Sequence, residues 1–249
     1  MTVRKRLSRL YVDAEINSQA DLELPAAAAH YLKHVLRLQN GDRVALFNGQ
    51  SNHDYLAEIL IKGRQVSARP LSQREQDVES PLDSALVQAI GKSEHMDILV
   101  QKATELGVHR FIFFNSVRTQ SPLKGARLEK RLAHWRGVSI SACEQCGRNQ
   151  LPQIAFADDL SAALACIVAS NKILLDFDGQ PLDELLLRAD HQAGFALLTG
   201  AEGGLTAREI ELARSGGFQS CVIGPRTLRM ETAAIAILAL VQHRIGDMR

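Results

Sequence analysis

No apolar run in this chain is long enough to cross a membrane. The longest, Ala233–Val241, covers nine residues, against the roughly 18 that a span requires. Arg4-Lys5-Arg6 has the charge of a secretory n-region, but no apolar stretch follows before Asp13, so the expected location is the cytoplasm. Cysteine is scarce: Cys143, Cys146, Cys166 and Cys221 are all there are among 249 residues. That excludes a disulfide scaffold. Net charge is nearly absent too, at +1, so any nucleic-acid binding must come from a local patch. The first 72 residues carry +3 and the remainder −2, which puts the basic surface on the N-terminal piece.

Several familiar motifs are missing, and each absence removes a class. Gly91-Lys92-Ser93 resembles the end of a phosphate-binding loop, but position 86 is Leu where the first glycine is required. No GxGxxG follows a strand and no GxSxG elbow exists, which excludes a dinucleotide fold and a serine hydrolase of the usual type. His30 and His34 share a helix face without a following Glu or a third ligand, and Cys143-Glu-Gln-Cys146 has no second CxxC. No metal is expected. A redox role for that CxxC is disfavoured by its place late in a helix, since a reactive thiolate wants the helix N-terminus.

The patterning that remains is that of an α/β protein. Residues 1–72 read as a small β-rich unit: strands at Arg43–Asn48, Tyr55–Ile61 and Gln65–Arg69 follow one helix, Ala26–Leu38, closed by Asn40-Gly41. The polar stretch Leu71–Pro81 is the expected linker. Residues 73–249 are the expected second domain, and from Leu82 onward strands alternate with helices. Strands are expected at 84–90, 108–115, 172–177, 195–199 and 220–223. Helices are expected at 95–106, 128–146, 160–169, 206–214 and 231–244. This alternation implies a mostly parallel sheet covered on both faces. Thr206-Ala-Arg-Glu209 fits a capping box. The final helix is apolar all round and must be buried on nearly every side, either at the domain centre or at a subunit interface.

Three apolar runs end in glycine-containing turns: Ile173–Gly179, Phe195–Gly204 and Cys221–Arg229. Glycine lets backbone approach a ligand closely, and open α/β sheets bind ligands at the carboxyl ends of their strands. These turns therefore predict a pocket. Arg226 and Arg229 beside Glu231 could clamp a phosphate or stabilise a developing anion; the alternative is a surface ion pair with Glu231 or Glu202. Glu144-Gln145 and Arg148-Asn149 at a helix end have the hydrogen-bonding shapes that suit a nucleobase or phosphate.

Taken together, the residues resemble a known family. Leu198-Thr-Gly-Ala-Glu-Gly-Gly-Leu205, Glu209-Ile210, Gly217-Phe218 and Ile223-Gly-Pro-Arg-Thr-Leu-Arg-Met-Glu-Thr-Ala233 are similar to the C-terminal signature of the RsmE family of ribosomal RNA small-subunit methyltransferases. Gln101–Val108, Ala142–Asn149, His34–Leu38, Gly41-Asp42 and Phe47–Gly49 match further blocks. Two positions depart from the pattern: Ala201 stands where the family usually has Pro, and Met230 where it commonly has Thr.

The resemblance implies a SPOUT-type methyltransferase domain with a C-terminal trefoil knot, preceded by a PUA-like barrel. It implies S-adenosylmethionine as methyl donor, a homodimer, 16S rRNA or the small ribosomal subunit as partner, and methylation of uridine N3. Carried onto this chain, the cofactor site is expected at Leu175, Leu198, Thr199, Gly200, Gly203, Gly204, Ile223, Gly224, Leu228 and Thr232. Arg229 or Arg226 would contact the anion or a phosphate, and Glu202 or Glu231 would act as base or orienter. RNA contacts are expected from Glu144, Gln145, Arg148 and Asn149, with Arg4, Arg6, Arg9 and Arg37 on the basic N-terminal unit. Methylation of a ribose 2′-OH and a catalytically silent ribosome-assembly module remain the alternatives.

Overall fold

In the computed structural model, residues 7–17, 19–76, 78–190 and 193–248 are described. The chain forms two compact units, Met1–Glu79 with Cys143–Leu151, and Ser80–Ala142 with Pro152–Arg249.

The first unit is built on β1 (Arg9–Tyr11), β2 (Leu22–Glu23), α1 (Ala26–His30), β3 (Arg43–Phe47), β4 (His53–Lys62) and β5 (Gln65–Glu75). Its sheet runs β1-β3-β4-β5-β2, parallel only between β1 and β3. Alternate inward residues, such as Val44, Leu46, Ala57, Ile59, Val66 and Ala68, form its core with Leu32. The single helix expected at 26–38 is instead one short α-helix followed by a π-helical turn, Tyr31–Val35. Here Leu36 N–H reaches back five residues to Tyr31 O. The chain leaves this turn through Arg37 at φ +54°, a conformation uncommon outside glycine.

The expected linker is also corrected. β5 continues through Leu71 to Glu75, paired as far as His53. β2 covers only its first part, so the far end is exposed on both faces and carries polar side chains that read as a loop.

The second unit comprises β6 (Ser84–Ala89), α2 (Ser93–Glu105), β7 (Arg110–Phe114), the greater part of α3 (Gly125–Cys146), β8 (Gln153–Ala157), α4 (Leu160–Ala165), β9 (Asn171–Pro181), α5 (Leu182–Leu186), β10 (Phe195–Thr199), α6 (Ala207–Ser215), β11 (Gln219–Val222) and α7 (Met230–Ile245). All neighbours in its six-stranded sheet, β11-β9-β10-β6-β7-β8, are parallel. The expected mixed α/β architecture is present.

Alternation along the strands explains the continuous apolar runs. Leu86, Phe111, Phe113, Phe195 and Leu197 point to one face and pack with Leu99, Trp135, Leu185 and Ile237. Val87, Ile112, Phe114, Ala196 and Leu198 point to the other and pack with Leu160, Ala163 and Ala213. A strand buried on both faces needs no polar residues. β8 escaped the sequence reading because it is a half-exposed edge strand without a continuous apolar run, and α5 because it is a helix of only five residues. α7 buries Ala234, Ile237, Leu238 and Val241, but Thr232 is exposed and Leu240 is 47% exposed. Its burial is therefore less complete than its composition implies.

Strands β7 and β8 lie to one side of β6, and β10 and β9 to the other. Chain direction across the sheet thus reverses beside β6. The carboxyl edge at such a reversal is where open α/β sheets place ligands.

Candidate active site

That edge carries a cleft of about 560 Å³, within the range of small-molecule sites. Its walls come from the segments following β6, β7, β10 and β11, together with Leu175–Phe177 of β9. The tightest part is the turn after β10, where Gly204 N–H donates to Ala201 O at 2.8 Å. A Cβ on Gly200 would stand 2.8–3.0 Å from backbone atoms of Gly204 and Leu205. Only glycine permits this approach, and it leaves the loop backbone facing the cleft.

Two buried polar residues fix the turn. Gln88 on β6, fully buried, donates to Gly200 O at 2.9 Å and accepts from the Thr199 hydroxyl. Glu209 completes the expected capping box with Thr206 and also accepts Val117 N–H at 2.9 Å. It thereby ties α6 to the loop after β7. From that loop Arg118 donates to Gly203 O at 2.7 Å.

An acid–histidine cluster forms the cleft's other wall. Glu202 accepts Lys92 N–H at 2.8 Å and lies 3.0 Å from His95 Nδ1. Burial pushes its carboxyl up, but the Lys92 and Glu202 N–H groups and His95 outweigh that and hold it below the usual carboxylate range. Glu231, at the first turn of α7, is buried, and its Oε2 has no hydrogen-bond partner. This oxygen is 3.9 Å from His95 Nδ1. Gly91 permits the close packing here: its Cβ would meet Met230 Sδ at 2.9 Å and Glu202 Oε2 at 3.0 Å.

The structure brings most of the sequence-derived residues together. Leu175, Thr199, Gly200, Glu202, Gly203, Gly204, Leu228, Arg229 and Glu231 all line this cleft. Ile223, Gly224 and Arg226 line an adjoining hollow that shares Leu175, Asp176, Phe177, Leu228 and Ala233 with it. Leu198 is buried under the turn, in the core, and Thr232 is exposed and lines neither space. Among the described residues neither Arg226 nor Arg229 makes an ion pair, so the surface-pair alternative is not realised. Sequence reasoning missed Gln88, Lys92, His95 and Arg118. The rule that ligands bind beyond strand carboxyl ends, applied to β6 and β7 as well, would have found the last three.

The residues assigned to RNA contact divide differently. Arg4 and Arg6 lie outside the described residues. Arg37 and Gln145 are exposed. Arg9, Arg148 and Asn149 are buried, at 8%, 3% and 0% exposure. Arg9 pairs with Asp54, donates to Asn149 Oδ1 and Arg148 O, and lies over the Phe47 ring at 4.7 Å. Arg148 pairs with Glu79, whose other oxygen accepts the Asn149 and Gln150 N–H groups. Glu144 accepts Tyr11 N–H at 3.0 Å; burial pushes its carboxyl up, partly offset by that bond and by Arg9.

These three buried residues and Glu144 are corrected to an internal role: they bind residues 143–151 into the first unit. Charged residues bury only when paired, and the pairing partners are far away in sequence. Cys143 is buried, and burial pushes its thiol up to about 12, which is the opposite of what a reactive thiolate needs. Among the described residues no group of three or more His, Cys, Asp or Glu side chains could hold a metal, and no helix is long and apolar enough to cross a membrane.

A cleft at the reversal point of a parallel sheet, walled by glycine and carrying unpaired arginines beside carboxylates, is suited to group transfer on an anionic polymer. A family model described as an RNA methyltransferase domain matches residues 78–242, and another described as an RNA methyltransferase PUA domain matches 24–71. The chain is 31% identical over 247 residues to ribosomal RNA small subunit methyltransferase E of Buchnera aphidicola from Schizaphis graminum, covering 99% of this chain and 100% of that one. A Legionella pneumophila methyltransferase solved with bound SAM superposes with a TM-score of 0.91 at 35% identity, covering 97% and 99%. The Neisseria gonorrhoeae ribosomal RNA small subunit methyltransferase E, bound to S-adenosyl methionine, gives 0.87 at 31%, covering 98% and 100%. The chain therefore belongs to the ribosomal RNA small subunit methyltransferase E family.

Proposed function

We propose that this protein transfers a methyl group from S-adenosylmethionine to N3 of a uridine in 16S ribosomal RNA, acting in the cytoplasm on the small subunit or its RNA. The observation that carries the reading is the glycine-walled cleft with a buried carboxylate oxygen on Glu231 that accepts no hydrogen bond and, at its rim, an Arg229 without an ion pair among the described residues. These residues fit the methyl donor. Open backbone at Thr199–Gly204 suits an adenosine moiety, and the Asp176 carboxylate, positioned by Arg214 and Ser220, suits a cationic group.

When bound, the sulfonium supplies an activated methyl. The protein's work is alignment and charge control, and orientation alone can contribute about 7–11 kcal/mol. Uracil N3 carries a proton and is a poor nucleophile until it is lost. Glu202 is ionised, held low and already bonded to Lys92 and His95, so it orients the wall. Glu231 Oε2 accepts the N3 proton. Arg229 stabilises the imide anion as charge spreads to the carbonyl oxygens. Arg226, in the adjoining hollow, takes a phosphate.

The C-terminal segment forms a trefoil knot, and two copies pair through α7. The knot is supported by the irregular pairing of β11 on β9, where the register jumps between Ser220 and Cys221 and a Cβ on Gly179 would fall 2.4–2.6 Å from Cys221 backbone atoms. The dimer is supported by the exposed Thr232 and Leu240 face of α7. The first unit holds RNA through residues such as Arg37. Calorimetric titration of S-adenosylmethionine tests the reading: one saturable site per chain is expected, and no binding with or without RNA would overturn it.

A further inference from the structure

We infer that a second cavity beside the cleft holds a backbone phosphate of the RNA strand that carries the target uridine. This rests on the methyltransferase reading and adds an anchor point to it. The cavity, about 200 Å³, is lined by Lys92, Arg127 and Arg131, with Ser93, Gln120 and Ser121 supplying further donors. It is too small for a nucleoside and large enough for a phosphodiester. Lys92 and Glu202 also line the methyl-donor cleft, so the two spaces adjoin.

Two of the three charges here have no carboxylate partner: among the described residues no carboxylate forms an ion pair with Lys92 or Arg127. Arg131 is held in place: its guanidinium lies over the Trp135 ring at 5.7 Å and donates to Ser93 Oγ at 2.6 Å. Its acidic neighbour, Asp97, is 3.9 Å away and already bonded by His134 and by Trp135 Nε1. The single carboxylate in the lining, Glu202, is engaged by Lys92 N–H and His95. Three cations against two committed carboxylates, Glu202 in the lining and Asp97 behind Arg131, leave a positive cavity that an anion completes. Arginine pre-oriented on an aromatic face is suited to phosphate. Gly91-Lys92-Ser93, which fails as a phosphate-binding loop, thus enters a phosphate site by opening α2 at its mouth, where the helix dipole adds to the attraction. Phosphate contacts set the register of a strand rather than its sequence. An anchor adjoining the cleft therefore fixes which nucleotide can enter it.

The test uses full-length protein, 16S rRNA transcript and an unrelated RNA of equal length. Arg127→Gln, Arg131→Gln and the double variant are compared for RNA affinity across a salt series, S-adenosylmethionine affinity and methylation. Each single change is expected to weaken RNA binding roughly three- to tenfold and to lower the slope of log K against log salt by about 0.7–0.9. Methyl-donor affinity should be unchanged, and methylation at sub-saturating RNA should fall with RNA affinity. Arg131→Lys keeps the charge and should restore most of the slope. Arg127 is exposed, so its variant reports even if loss of Arg131 unsettles Trp135. Wild-type RNA affinity and slope in the double variant would overturn the inference. So would weakened methyl-donor binding with RNA binding intact, which would assign the cavity to the donor's carboxylate. A wild-type protein that neither binds donor nor methylates RNA would instead remove the functional reading.

Discussion

Replacing Gly200 with alanine should damage the cleft out of proportion to one methyl group. The added Cβ would stand 2.8 Å from Gly204 C, 2.9 Å from Gly204 Cα and 3.0 Å from Leu205 N. All three are backbone atoms, so no side chain can swing away. The turn must open, against the Gly204 N–H bond to Ala201 O and the Gln88 bond to Gly200 O. Forcing a methyl into packed space costs about 1–3 kcal/mol. If that strain falls on the bound geometry, donor affinity drops about 5- to 150-fold at 1.4 kcal/mol per decade. Gly203→Ala is the control: its Cβ would meet only the Arg118 side chain and carbonyl, at 3.4 Å and beyond. It should bind donor within about twofold of wild type, since ordinary van der Waals contact carries no strain. Calorimetry and thermal unfolding on both variants decide the matter. Equal affinities and melting temperatures for the two would refute the claim that backbone approach at Gly200 shapes the site.

Other consequences follow from the same geometry. Arg229→Ala should cut methylation by two orders of magnitude or more while donor affinity and melting temperature hold, because the side chain is exposed and unpaired; near-normal turnover would remove it from the mechanism. Asp54→Ala leaves Arg9 buried without its carboxylate and should destabilise the first unit by about 3–5 kcal/mol in denaturant titration. The Glu202 carboxyl sits below its ordinary 4.5, so its contribution is present above that pH and is lost as pH falls through the lower folded value; Glu202→Gln should flatten that limb of the acid-unfolding curve. A thiol-reactive dye should label exposed Cys166 rapidly. Cys143 and Cys221, whose thiols burial pushes up to about 12, should react only on unfolding.

Much of the second unit was legible because its strands are continuous apolar runs and its turns are marked by glycine. The capping box at Thr206 and the cleft residues Gly200–Gly204 come from local signals that tertiary context did not override. The first unit was read less well. The π-helical turn at Tyr31–Val35 has the composition of an ordinary helix, and β5 runs on as exposed polar strand. Arg9, Arg148 and Asn149 misled for a clear reason: a lone sequence shows charge but not the distant Asp54 and Glu79 that allow it to be buried. His95 carries no motif, and Lys92 lies in Gly91-Lys92-Ser93, which lacks the glycine a phosphate-binding loop needs at position 86. Both belong to the site through the position of α2 at the carboxyl end of β6.

The identity of the methylated atom is directly measurable. Incubating the protein with isotopically labelled S-adenosylmethionine and unmodified small subunits, digesting the RNA and analysing its nucleosides by mass spectrometry tests it directly. A single labelled product is expected, a uridine methylated at N3, reduced about a hundredfold or more with Arg229→Ala. Label on a ribose 2′-OH, or no label with donor demonstrably bound, would contradict it.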